Sequence, residues 1–97
     1  MLLTFYIPGP MRNFTKGESR VEVHVGDDGS PLTLRGALLA LWERYPGIRY
    51  RVLTEQGEVR EHLNIFVGEE SIRFTGGLDT PLRKGCEISI IPAVSGG

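Results

Sequence analysis

The chain has 97 residues, enough for one domain around one hydrophobic core, and its 40% hydrophobic and 24% charged residues are the balance of a folded globule. Eleven basic against twelve acidic residues leave a net charge of −1, which weighs against the phosphate-neutralising stripe of a nucleic-acid protein. No apolar run approaches the ~18–20 residues that span a bilayer, and the N-terminus lacks the basic and long apolar regions of a signal peptide, so a cytoplasmic protein without membrane contact is expected.

Leu2 to Ile7 predicts a first strand, with Leu3, Phe5 and Ile7 on one face and Leu2, Thr4 and Tyr6 on the other. Pro8-Gly9-Pro10 stops it, and a polar stretch follows to Gly17. Val21, Val23 and Val25 alternate with Glu22 and His24, a second strand pairing antiparallel with the first across a long tip. Gly26 to Pro31 is a loop by composition. Leu34, Ala37, Leu38, Leu41, Trp42 and Tyr45 then fall on one stripe of a helix, with Thr33 as N-cap and Pro46-Gly47 as its stop. No period holds from Ile48 to Arg60. Leu63, Ile65 and Val67 predict a third strand, Gly68-Glu69-Glu70 a turn, and Ile72 to Phe74 a short return strand. Gly76 to Leu82 reads as loop or a single 3₁₀ turn, and Cys86 to Ile91 as the last strand.

One helix can cover one face of a mixed sheet, so the fold class is α+β. The order matches the β-grasp (ubiquitin-like) roll, a mixed four- to five-stranded sheet on one main helix with the first and last strands parallel at its centre. Residues 1–92 are expected to form this domain and residues 93–97 a flexible C-terminal diglycine tail. Tyr6, Phe66 and Ile91 then share the sheet face opposite the helix, where they form either a docking patch or a surface covered by a loop. Phe74 either joins that patch or caps the core.

Resident chemistry is scarce. The lone cysteine, Cys86, excludes an internal disulfide and any CxxC motif, and reads as a small core hydrophobe. His24 and His62 have no ligand spacing and read as surface residues, so no metal site is expected. There is no phosphate-binding loop. Trp42 belongs to the helical core stripe, and Arg83-Lys84 reads as a solubilised turn. Arg49-Tyr50-Arg51 is a basic and aromatic run of the kind found on nucleic-acid surfaces, which the net charge disfavours here.

Gly96-Gly97 has an ordinary reading as a frayed end. It also has a chemical one, because glycines let a terminal carboxylate pass where side chains cannot. An ionised carboxylate is a poor electrophile and needs activation, most simply as an acyl-adenylate, by a partner that binds ATP.

The run Ile88-Ser89-Ile90-Ile91-Pro92-Ala93-Val94-Ser95-Gly96-Gly97, with Asn64-Ile65-Phe66-Val67 and Arg73-Phe74-Thr75-Gly76-Gly77-Leu78 upstream, resembles the β-grasp sulfur carrier proteins. These include the carriers of cysteine and thiamine biosynthesis and the small subunit of molybdopterin synthase. Two positions depart from the pattern: Ser95 replaces the usual alanine, and Cys86 stands where an acidic residue is common. The resemblance implies a carrier rather than an enzyme. A ubiquitin-activating-type adenylyltransferase and sulfurtransferase would adenylate Gly97 with ATP and convert it to a thiocarboxylate, with no cofactor bound by the carrier itself. Ala93, Val94, Ser95, Gly96 and Gly97 would enter the partner's active site. The sulfur would pass to a pyridoxal-phosphate cysteine synthase, with release by a metallopeptidase, or to the large subunit of molybdopterin synthase. A ubiquitin-like modifier joined to lysines through Gly97 shares the same activation, and a plain binding module with an inert tail is the remaining reading.

Overall fold

A computed structural model describes residues 1–26 and 32–92; the expected tail, residues 93–97, lies outside the described residues. Strand β1 (Leu2–Tyr6) pairs antiparallel with β2 (Arg20–His24), placing Leu3 opposite Val23 and Phe5 opposite Val21. Helix α1 (Leu34–Arg44) and the short α2 (Arg49–Val52) follow. Strands β3 (Leu63–Val67), β4 (Glu70–Ser71) and β5 (Glu87–Pro92) complete the chain. The sheet order is β2-β1-β5-β3-β4, with β5 parallel to β1 and antiparallel to β3. A parallel neighbour requires a long crossover, which the helical middle of the chain supplies. This is the expected β-grasp roll, with five strands among the described residues.

The alternation along each strand decides what is buried. Leu3, Phe5, Val21 and Ile88 are fully shielded from solvent, and Ile65 and Ile90 nearly so. Against them lies the stripe of α1 made by Leu34, Ala37, Leu38, Leu41 and Trp42, all buried. The N-cap is as expected: the Thr33 hydroxyl accepts from the Gly36 N–H at 3.5 Å. At the other end Pro46 opens a 3₁₀ turn, Pro46–Ile48, that seats Ile48 in the core.

Three local readings change. Ile72–Phe74 is a 3₁₀ turn and not a strand, because the return pairing is already made by Glu70 and Ser71 opposite Val67 and Phe66. Gly68, at φ 62°, occupies the first turn position where a two-residue hairpin needs a positive φ. The Ser71 hydroxyl then accepts from the Arg73 N–H at 3.3 Å and buries Ile72 beneath the edge. The last strand begins at Glu87 rather than Cys86, since the Cys86 N–H is held in a turn by the Arg83 carbonyl at 3.2 Å. Finally, the polar tip between β1 and β2 is a 3₁₀ segment, Gly9–Thr15. Thr15 is fully buried there, its hydroxyl 3.2 Å from the Arg12 carbonyl and 2.8 Å from that of Glu18. Residues 48–60, unread in the sequence, bury Ile48, Val52 and Leu53 and close with a Leu53–Val59 bridge.

Candidate functional site

The face of the sheet turned away from α1 carries the alternate set of strand residues. Register places Tyr6 of β1 and Phe66 of β3 on either side of Ser89 in β5. The small serine leaves the two rings unobstructed across three strands. Ile91, two residues further along β5, lies opposite Asn64 on the same face. Tyr6 is 37% and Ile91 45% exposed, and Phe66 is half-buried. A shallow depression of about 310 Å³ runs from Tyr6 and Pro8 along Ser89 and Ile91 to Pro92, the last described residue. Pro92 is the final ladder position, opposite Leu63. An apolar stripe therefore leads along β5 to the point where residues 93–97 begin.

Phe74 stands apart from this register. It sits on the 3₁₀ turn after β4 and is 89% exposed, so it does not cap the core. The expected insertion residues Ala93 to Gly97 lie outside the described residues. Glu87 is a participant that sequence reasoning missed, although the alternation Glu87-Ile88-Ser89 placed it on this face. The Tyr6 hydroxyl donates to the Glu87 carboxylate, tying β1 to β5 at the edge of the stripe.

That bond raises the Tyr6 pKa above its ordinary value of 10.0, first through the hydrogen bond to Glu87, then through desolvation and the Glu87 charge, while Arg20 opposes it. The fold favours the neutral phenol, so this contribution is complete below about pH 10 and is lost as pH rises through the folded value. In a spectrophotometric titration, the phenolate signal absent from Tyr6→Phe is expected to appear above that ordinary value, and Glu87→Gln should bring it down. Superimposable curves for wild type and Glu87→Gln would show that the bond is not formed.

The remaining candidates are placed as bystanders. Cys86 is half-buried, and burial pushes its thiol up, with backbone hydrogen bonds pulling partly back, which makes it a weaker nucleophile at neutral pH. Trp42 is 7% exposed within the core. His24 and His62 are exposed, on β2 and on the turn before β3. Among the described residues, no group of three or more His, Cys, Asp or Glu is placed to hold a metal ion. No helix among them is long and apolar enough to cross a membrane.

Among the described residues, an apolar stripe on a ubiquitin-like roll leads to the exit of its central last strand. The chain belongs to the ThiS family, whose match covers residues 6–97. It is 35% identical over 99 residues to the sulfur carrier protein CysO of Mycobacterium tuberculosis, covering all of both chains. The small archaeal modifier protein 3 of Haloferax volcanii is 31% identical over 81 residues, 84% of each chain. Among solved structures, a chain of the Amycolatopsis orientalis BexX/CysO complex superposes with a TM-score of 0.83 at 32% identity, covering 98% of this chain and 99% of that one.

Proposed function

We propose that this chain is a sulfur carrier protein and not a catalyst, acting through the carboxylate of Gly97. A ubiquitin-activating-type enzyme attaches AMP to that carboxylate and releases pyrophosphate. Sulfide delivered by a sulfur donor then attacks the acyl carbon, forming the C–S bond of a thiocarboxylate as the C–O bond to AMP breaks. The sulfur is a soft nucleophile that stays tethered until an acceptor takes it, here an acceptor held by a pyridoxal-phosphate enzyme of cysteine biosynthesis. The observation that supports this most is the full-length likeness to the mycobacterial sulfur carrier, reaching through Gly96-Gly97. ATP is a substrate of the activating partner; the carrier supplies the acyl group.

Residues 1–92 act as the docking body and residues 93–97 as the inserted tail in this reading. Tyr6, Phe66 and Ile91 are the patch on which the activating enzyme docks, with Phe74 an outlying contact. Phe66→Asp places a charge in the middle of that patch, where an interface hot spot is worth ~2 kcal/mol. The KM for the carrier in ATP–pyrophosphate exchange should rise about 30-fold on that basis, with thermal unfolding close to wild type. An unchanged KM in a folded variant would remove the patch from the docking surface.

A second reading is supported by the likeness to the Haloferax modifier protein: attachment of Gly97 to lysines of target proteins. Both readings share the adenylation step, and the acceptor separates them. Thiocarboxylated protein should lose its sulfur to a cysteine synthase in vitro. Turnover only by a molybdopterin synthase large subunit would reassign the acceptor, and conjugates that survive reduction would identify a modifier.

A further inference from the structure

The strands fix which surfaces surround the exit of the tail. Because β1 and β5 are parallel, their C-terminal ends lie at the same end of the sheet. Pro92 faces Leu63, and the residue before Leu63 is His62. The 3₁₀ segment that follows β1 forms the other wall of a groove of about 480 Å³ at this end, lined among others by Phe14, Tyr50, Arg51, Arg60 and His62. No carboxylate is among its lining residues. The nearest acids in sequence, Glu58 and Glu61, line the neighbouring groove instead.

Ring and carbonyl contacts hold the guanidinium groups of Arg51 and Arg60 in place, and arginines elsewhere on the chain are held in the same way. Arg51 lies 5.0 Å from the centroid of the Phe14 ring, and Arg49 5.4 Å from that of Tyr50. Arg60 Nε donates to the Tyr50 carbonyl at 2.8 Å, and Arg12 Nε to the Ile7 carbonyl at 3.0 Å. Among the described residues the ion pairs are Arg20–Glu22 and Arg35–Asp79, and none of them involves Arg51 or Arg60. Arg51 and Arg60, two of the eleven cations, meet at this groove, and the rest of the chain is net acidic. A free arginine side chain carries ~2 kcal/mol of rotamer entropy; stacking and carbonyl contacts have already removed part of it, which lowers the cost of engaging an anionic partner.

Resting on the reading above, we propose that Arg51 and Arg60 form a basic collar that docks on an Asp- and Glu-rich rim around the entrance of the enzyme that adenylates Gly97. Tail length supports a protein rim as occupant. Five residues beyond Pro92 span at most ~18 Å when fully extended, so an active site that holds Gly97 brings its entrance against this end of the sheet. Complementary charge at such a contact speeds encounter and fixes register, and both effects weaken with salt.

The test uses the full chain and the host adenylating enzyme that supports exchange with wild type. The double variant Arg51→Glu/Arg60→Glu is expected to raise the KM for the carrier at least tenfold at about 50 mM salt with kcat unchanged, the gap narrowing at about 500 mM as screening grows. Arg51→Gln/Arg60→Gln, which keeps the stems, should give a smaller rise. Lys84→Glu, at the opposite end of β5, should give none. Folded variants whose KM stays within twofold of wild type overturn the collar while leaving the carrier reading intact. Binding of a short single-stranded RNA that the double variant loses, with charging unchanged, overturns it in favour of a nucleic-acid surface. Wild-type protein that no host enzyme adenylates overturns both.

Discussion

Removing Gly97 alone is expected to cut adenylation by at least ~10²-fold while leaving thermal unfolding unchanged. Shortening the tail by one residue withdraws the carboxylate by ~3.3–3.6 Å, several times the misplacement that already costs this much at a reacting centre. Adding an alanine after Gly97 should do the same by overshooting. Gly96→Val tests the other half of the argument, since it preserves length but adds a branched side chain to a passage that glycine leaves open. It is expected to fall between wild type and the deletion. Full charging of the shortened chain would mean that the terminal carboxylate is not the group acted upon.

The second large effect concerns the body that carries the tail. Phe5 is fully buried on β1, between Val21 of β2 and Ile88 of β5, which are themselves fully buried. Phe5→Ala leaves a cavity at the junction of the antiparallel and parallel pairs, where the neighbouring strands cannot close in. A loss of ~3–5 kcal/mol is expected. That is a large share of the ~5–15 kcal/mol that holds a typical domain together, and in a chain this short it lowers Tm by roughly 15–30 °C. Tyr6→Ala, one residue along, should cost much less because that side chain lies on the open face. Comparable losses at the two positions would contradict the assignment of faces. Retained charging per folded molecule in Phe5→Ala, against reduced charging in Phe66→Asp, would separate core from docking surface.

Much of this architecture is legible in the residues because burial here follows simple periods. The valines at 21, 23 and 25 and the helical spacing from Leu34 to Trp42 are one-sided patterns, and each is buried on the expected side. Where the period breaks, so does the reading. Ile72 is buried and Phe74 exposed, which mimics one face of a strand with a break, but a serine-capped 3₁₀ turn produces the same contrast. Residues 48–60 hide three buried side chains, Ile48, Val52 and Leu53, in and around a turn of helix too short to show a repeat. Thr15 is polar in sequence and yet fully buried, because neighbouring carbonyls satisfy its hydroxyl.

The site divides in the same way. Alternation alone places Tyr6, Phe66 and Ile91 on one face when the first and last strands are neighbours. Ser89 and Glu87, which clear and fasten that face, lie within the same alternation. The arginine groove had no such signal. Arg49-Tyr50-Arg51 was visible as a run, but Phe14 and Arg60 reach it only through the folding of two irregular segments, and net charge conceals a cluster balanced by acids elsewhere.

The most direct measurement is the intact mass of the protein isolated from its own host under conditions that preserve thiocarboxylates. The account predicts a species heavier by one sulfur in place of one oxygen, with fragmentation locating the change at Gly97. A single unmodified mass, unchanged after incubation with ATP, a sulfur donor and each adenylating enzyme of that host, would contradict it.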